Sequence, residues 1–394
     1  MIKKILEQPN FEMFFITFLV LLFPVFSIPV VLYEIVKEED LKKKTIYTAY
    51  FCLIMAYLAF HTVPFETDDL MRHFENMEIL QDTPFLKIFF KSYTGVYLNT
   101  LIMYIFSKTG FFGLYPAFYV LLGYFLVIFN IIRIQKRQGI QKKEVFWILL
   151  FVLFSVNCRD FISGLRNYFA FIIVSYAIIS CLYFHSDKRI TYLILFLAGF
   201  IHTAAFIILF LFILDDLHLS KKIKKRIQIL ILFSLPISIF LANGLFYIAP
   251  FLKEHPFLYK LYTYITTPNI FNINVYLFYL GILFVIVCCH LFNKKHEQKE
   301  FMKINSFLDF YLAFMIALSP MLLLLTRFLY FLIPFSPIVL VQTFKNLKNN
   351  NKAKCMLKGV LSLFVLAGIL LLLASIRSYT WQFDKGNIFF FLLG

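Results

Sequence analysis

Charge is scarce in this chain of 394 residues: only 15% are Asp, Glu, Lys or Arg, against 61% hydrophobic and 20% aromatic. That scarcity excludes a soluble globular protein. Helix breakers are few as well, thirteen Gly and thirteen Pro, and the apolar residues come in runs of about 20 rather than in ten-residue alternation, which excludes an outer-membrane barrel. The six cysteines (Cys52, Cys158, Cys181, Cys288, Cys289 and Cys355) lack CxxC spacing, so neither a disulfide framework nor a zinc site is indicated. HExxH, Walker A and GxGxxG are missing, and with them ATP chemistry. Without an internal repeat or low-complexity linker, a single integral membrane domain is expected over 1–394.

What is present is a succession of apolar runs: Phe14–Val36, Thr45–Val63, Phe112–Ile132, Val145–Cys158, Phe161–Phe184, Ile190–Leu214, Gln228–Ala249, Val275–Phe292, Phe307–Leu325, Phe328–Phe344 and Val360–Ser378. They predict an all-α polytopic membrane protein of about 10–12 transmembrane segments. The first run is too long for a signal-peptide core and lacks a small-residue cleavage site, so it reads as a retained first span. The net charge of +16 sits in short lysine blocks between spans, the pattern of cytoplasmic loops rather than of nucleic-acid binding. By that rule 133–143, 221–226 and 345–358 are cytoplasmic. The acidic stretch Glu66–Asp82 is external, within outer loops expected over 64–111 and 250–274. The interrupted, amphipathic stretch Phe85–Lys108 is expected to lie in the outer interface.

Parity then singles out one run. Ile190–Leu214 has basic residues at both ends (Lys188 and Arg189, then Lys221 to Arg226) yet is a single apolar stretch of about 25 residues. A broken or re-entrant segment near 190–214 resolves this, Ile190–Phe200 going in and Ala204–Leu214 coming back, with His202 at the tip. Irregular backbone at that depth requires burial in protein or a polar cavity.

The same topology gathers Asp68, Asp69, Arg72, His73, Arg159, Asp160, Arg166, His202 and Arg327 on the external half. Ionisable groups there are costly, which makes each a candidate for function. Arginine binds two phosphate oxygens with one planar fork and keeps its charge. Arg159, Arg166 and Arg327 converging on an outer cavity therefore suit a diphosphate better than a carboxylate. Asp68 and Asp69 lack companion ligands at metal-binding spacing, so no metal site and no cofactor is expected.

The core stretch RDFISGLRNYFAFIIVSYAIISCLYFHSDKRITYLILFLAGFIHTAAFIILFLFIL resembles EpsG-type, Wzy-like polysaccharide repeat-unit polymerases. The likeness rests on R-x-x-x-A (Arg166 to Ala170), A-x-x-x-H-x-x-A (Ala198, His202, Ala205), an external acidic motif (Thr67-Asp68-Asp69-Leu70-Met71-Arg72-His73-Phe74) and a late R-x-x-Y (Arg327 to Tyr330). The family often carries Tyr at the positions of Asp69 or Phe74, and Gln at that of Asn167. The resemblance, over about residues 45–345, implies a GT-C-like, metal-independent glycosyltransferase in the bacterial cytoplasmic membrane. Its substrate would be undecaprenyl-diphosphate-linked oligosaccharide, joined into O-antigen, capsule or exopolysaccharide. It further implies Arg166, Arg327 and Arg159 on the diphosphate, His202 or the Asp68–Asp69 pair as base or orienting group, and Arg72, Tyr330 and Asn167 as substrate contacts. The partners expected are membrane lipid, a flippase and a chain-length regulator. Two other classes remain open: a flippase or transporter, which should show repeats and charge in both membrane halves, and a membrane O-acyltransferase, to which an intramembrane His would suit.

Overall fold

The computed structural model describes residues 9–66, 68–88, 96–156, 158–217, 220–244, 273–296, 298–320, 322–377 and 382–383. The run expected as one first span is two helices, α1 (Pro9–Leu22) and α2 (Pro24–Lys37), broken at Phe23 because Pro24 cannot carry the α1 ladder onward but suits a new first turn. The arms fold back on each other, since Lys37 at the end of α2 reaches Glu12 at the start of α1, 2.8 Å. Each arm has 14 residues, about 21 Å of helix, short of a hydrocarbon core of about 30 Å. The chain thus returns to its starting side before α3 (Leu41–Phe60), whose N-cap Asp40 accepts the Lys42 N–H. With α3 rising from the basic side, Glu66–Asp82 falls outside, where its acidity puts it.

Beyond α3 come β1 (Thr62–Val63), α4 (Asp69–Gln81) and α5 (Tyr97–Ser107). Glu66–Asp82 is thus largely helical, because Leu70, His73, Met77 and Leu80 recur at helical spacing and form the buried face of α4. Within Phe85–Lys108 the described residues form a 3-10 turn at Phe85–Lys87 and the helix α5.

The long helix α6 (Leu114–Gln138) stops where Gly139 takes a left-handed φ of 62° and donates its N–H to the Gln135 carbonyl. A reciprocal capping box between Gln141 and Glu144 then starts α7 (Lys142–Ser155). There follow α8 (Cys158–Ser163), α9 (Leu165–Leu182), α10 (Lys188–Gly199), α11 (Ala205–Asp216), α12 (Lys221–Gly244), α13 (Ile273–Lys295), α14 (Met302–Leu318), α15 (Leu322–Asn346), α16 (Asn351–Arg377) and β2 (Gln382–Phe383). Apart from its last two residues, the outer loop expected over 250–274 lies outside the described residues.

The expected break at 190–214 is a tight antiparallel hairpin. Lys188 pairs with Asp216, Tyr192 donates to Asp216 at 2.9 Å, and the rings of Tyr192 and Phe212, then Phe196 and Phe206, meet at 5.4 and 5.9 Å. Contacts that climb one arm while descending the other fix the turn at 200–204. Each arm has 12 residues, about 18 Å.

Among the described residues six helices have the length and apolarity to cross a membrane: α6, α9, α13, α14 with the turn before it, α15 and α16. The chain is an all-α polytopic membrane protein. Other apolar segments fall in helices of 12 to 14 residues (α1, α2, α7, α10, α11) or in helices that open on lysine clusters (α3, α12). At the centre α9 lies against α15, fastened by Ser175 Oγ donating to the Phe331 carbonyl at 2.9 Å. Phe171, Ile178, Phe331 and Phe335 there are fully buried. Close packing and such bonds hold helices together in lipid, where apolar burial between them adds little.

The lysine and arginine blocks gather at one end. Lys142 reaches Glu39 at 2.7 Å, Arg137 reaches Glu300 at 3.2 Å, and the buried pair Lys354 and Glu144 closes at 2.9 Å. By the positive-inside rule that is the end expected in the cytoplasm.

Candidate functional site

At the opposite end the helices diverge around a cavity of about 250 Å³. α9 begins at this cavity. Its N-cap position, Gly164, supplies no side chain to the first turn, so the positive end of an 18-residue helix faces it together with Arg166 and Asn167. α8 brings Arg159, Asp160 and Ser163, α4 brings Asp69 and His73, the hairpin tip His202, α13 Val275 and Tyr279, and α15 Thr326, Arg327 and Tyr330. Six separate elements therefore deliver side chains to one chamber.

The charges are unevenly paired. Arg159 donates to Asp68 at 2.9 Å, and Ser163 donates to the same carboxylate oxygen at 3.2 Å. The second Arg159 nitrogen lies 3.7 Å from Asp160. Asp69 is held by Arg72, which is 67% exposed. Arg166 has no ion pair or hydrogen bond among the described residues, and its charge is felt by the buried His73. Burial, with Arg166 and then Arg72 adding to it, pushes His73 down to about 3, so this imidazole is neutral at pH 7.

His202 sits at the hairpin tip, where the Ala204 N–H donates to its Nδ1 at 3.3 Å. A neutral ring that accepts there carries its proton on Nε2. Asn167 is 7% exposed, and its Oδ1 makes no hydrogen bond among the described residues. On the far side, Tyr279 donates to Asp160 at 3.3 Å and is hydrogen-bonded to Tyr330. Burial pushes the Asp160 carboxyl above its ordinary range, with Arg159 pulling the other way. Among the described residues no three His, Cys, Asp or Glu side chains come together as a metal site.

Of the residues expected at the site, Asp69, Arg159, Arg166, Asn167, His202, Arg327 and Tyr330 line the chamber. Asp68 stands behind Arg159 as its partner. Arg72 is directed to solvent and does not line the chamber. Sequence reasoning assigned no role to Asp160, although it named it, and it passed over Ser163, Gly164 and Tyr279. Ser163-Gly164 directly before Arg166 carried a signal, a small-residue helix start. Tyr279 carried none, being one of 23 tyrosines, here in an apolar run.

Fold and site thus define a polytopic membrane bundle whose chamber, at the end opposite the lysine and arginine blocks, carries Arg159, Arg166 and Arg327 against Asp69 and Asp160. Residues 71–383 match the EpsG family, which is of Wzy-like polysaccharide polymerase type, and the chain belongs to that family. No curated protein and no solved structure matches the chain.

Proposed function

We propose that the protein polymerises undecaprenyl-diphosphate-linked oligosaccharide repeat units into a surface polysaccharide on the outer face of the bacterial cytoplasmic membrane. The observation that carries this reading is Arg166, a half-buried guanidinium in the outer chamber that no described carboxylate neutralises. An isolated cation at such a depth is costly unless a ligand supplies the counter-charge. A diphosphate fits, because Arg166, Arg327 and the α9 N-terminus face one volume.

In this reading the donor's glycan is transferred from its lipid diphosphate to a hydroxyl of the next lipid-linked unit. The leaving diphosphate gathers negative charge as the C–O bond breaks, and preorganised cations in a site of low dielectric stabilise that charge. Asp68, itself receiving the Ser163 hydroxyl, holds Arg159 in place for the task. His202 orients an oxygen from the hairpin tip, while Asn167 and Tyr330 contact sugar or phosphate.

The test is the glycan of a deletion strain. Surface glycan of single repeats, restored to a ladder by the wild-type chain but not by Arg166→Lys at equal membrane abundance, is expected. Lysine keeps the charge and loses the fork. Absence of any repeats on the outer surface would instead identify a flippase, and a full ladder with Arg166→Lys would remove the diphosphate clamp.

A further inference from the structure

Two buried polar side chains on the chamber wall have an atom without a hydrogen-bond partner among the described residues. His73 on α4 is 4% exposed with its Nδ1 unpaired, and Asn167 in the first turn of α9 is 7% exposed with its Oδ1 unpaired. Both residues line the chamber. The wall behind His73 does not supply what it lacks. Its ring meets Tyr115 edge-on at 5.5 Å, but the Tyr115 and Tyr119 hydroxyls both donate to Asn99 Oδ1, each at 2.8 Å. A polar atom that gives up water on burial needs a replacement partner, and here the chamber is where one can enter.

The chemistry of the two groups narrows what fits. Burial keeps His73 neutral at pH 7, and an amide is neutral at any pH, so neither adds charge for an anion. Asn167 Oδ1 is an acceptor, and a diphosphate diester at neutral pH has no proton to give it. A hydroxyl both donates and accepts, so it suits the amide and either tautomer of the imidazole. The cation for a neighbouring anion stands alongside. Arg166 directly precedes Asn167, and its charge is felt at His73 and Tyr115, whereas Arg327 and Arg159 act on Tyr330. The wall built by α4 and α9 thus joins one charge to two neutral hydrogen-bonding groups.

We propose that His73 and Asn167 form the sugar-reading subsite of the chamber, hydrogen-bonding a hydroxyl or acetamido group of the sugar attached directly to the diphosphate that Arg166 holds. The identity of that substrate rests on the polymerase reading above. A substituent on the carbon next to the anomeric centre lies close to the phosphate, as Asn167 lies next to Arg166. A first sugar without a polar group there leaves both side chains unpaired, so the pair selects which repeat units are accepted. Both act by binding and take no proton in the transfer.

The experiment measures binding to the full-length protein of two probes: the lipid-linked repeat extracted from the deletion strain, and undecaprenyl diphosphate bearing no sugar. The wild-type chain is expected to bind the glycosylated probe more tightly. His73→Phe, which keeps a ring against Tyr115, and Asn167→Leu should each weaken the glycosylated probe by about ten-fold and leave the bare diphosphate unchanged. His73→Gln, still able to hydrogen-bond, should recover part of the loss, and Arg166→Lys should weaken both probes. Weaker binding of both probes by the His73 and Asn167 variants, or of neither, overturns the subsite. Should one of the two variants fail to accumulate, the other decides by the same pair of readings. A wild-type chain that binds the two probes equally, or binds neither, also overturns it. A wild-type chain that separates the probes as expected yet forms no ladder refutes the polymerase reading and leaves the subsite standing.

Discussion

At the scale of single residues, the outer chamber depends on which groups are kept neutral. His73 is buried on α4 at 4% exposure, and its Nδ1 makes no hydrogen bond among the described residues. Its folded pKa of about 3 lies below an unfolded value near 6.5, so between those values the unfolded chain binds the extra proton. Stability conferred by this residue is therefore complete at neutral pH and lost as pH falls through that window. Between pH 7 and pH 5 the loss should reach about 2 kcal/mol, read as a lower thermal midpoint in detergent. His73→Gln should flatten that dependence, and an unchanged slope would show that another group sets it. The arginines were legible from sequence because a cation in an apolar run stands out. The hidden part was pairing: nothing in the order of residues announced that Asp68 would be committed to Arg159 while Arg166 would stay without a counter-charge.

At the scale of elements, close approach between helices decides which glycines are replaceable. On α16, a Cβ added at Gly368 would stand 2.2 Å from the Phe154 carbonyl oxygen of α7, whereas one at Gly359 would meet nothing within 4 Å. Helix propensity alone favours alanine at both sites by about 1 kcal/mol. Gly359→Ala is therefore expected to leave stability unchanged or raise it, and Gly368→Ala to lower the thermal midpoint and speed proteolysis around α16, because backbone cannot move aside as a side chain can. Equal behaviour of the two variants would mean that α16 is not seated on α7 as described. The hairpin of α10 and α11 was readable in advance from charge parity. The fold-back of α1 on α2 was not, since an unbroken apolar run hides a proline stop whose consequence depends on where Lys37 finds Glu12. Likewise α4 shows its amphipathic face only when His73 is counted among the buried positions, which its chemistry alone does not suggest.

At the scale of the whole molecule, sidedness follows from the two hairpins. Each returns the chain to the basic end, so residues 38–44 and 220–226 share a side with 133–143, and α4 and α8 lie opposite. In a background lacking the six native cysteines, a cysteine at Lys42 or Lys224 is expected to react with an impermeant maleimide only after permeabilisation. One at Glu75 should react in intact cells. Labelling of position 42 from outside would return α1 and α2 to a single crossing, and labelling of position 224 from outside would straighten α10 and α11.

The two-residue ladder between β1 and β2, Thr62 opposite Phe383 and Val63 opposite Gln382, has a meaning for biogenesis. The strand leading into Asp68 and α4 emerges from the ribosome early, whereas its mate is made only after α16. Until then β1 has no partner strand. A nascent chain arrested before Gln382 would hold every arginine of the chamber and still lack the strand that pairs with β1, so formation of that ladder reports that synthesis has passed the last helix.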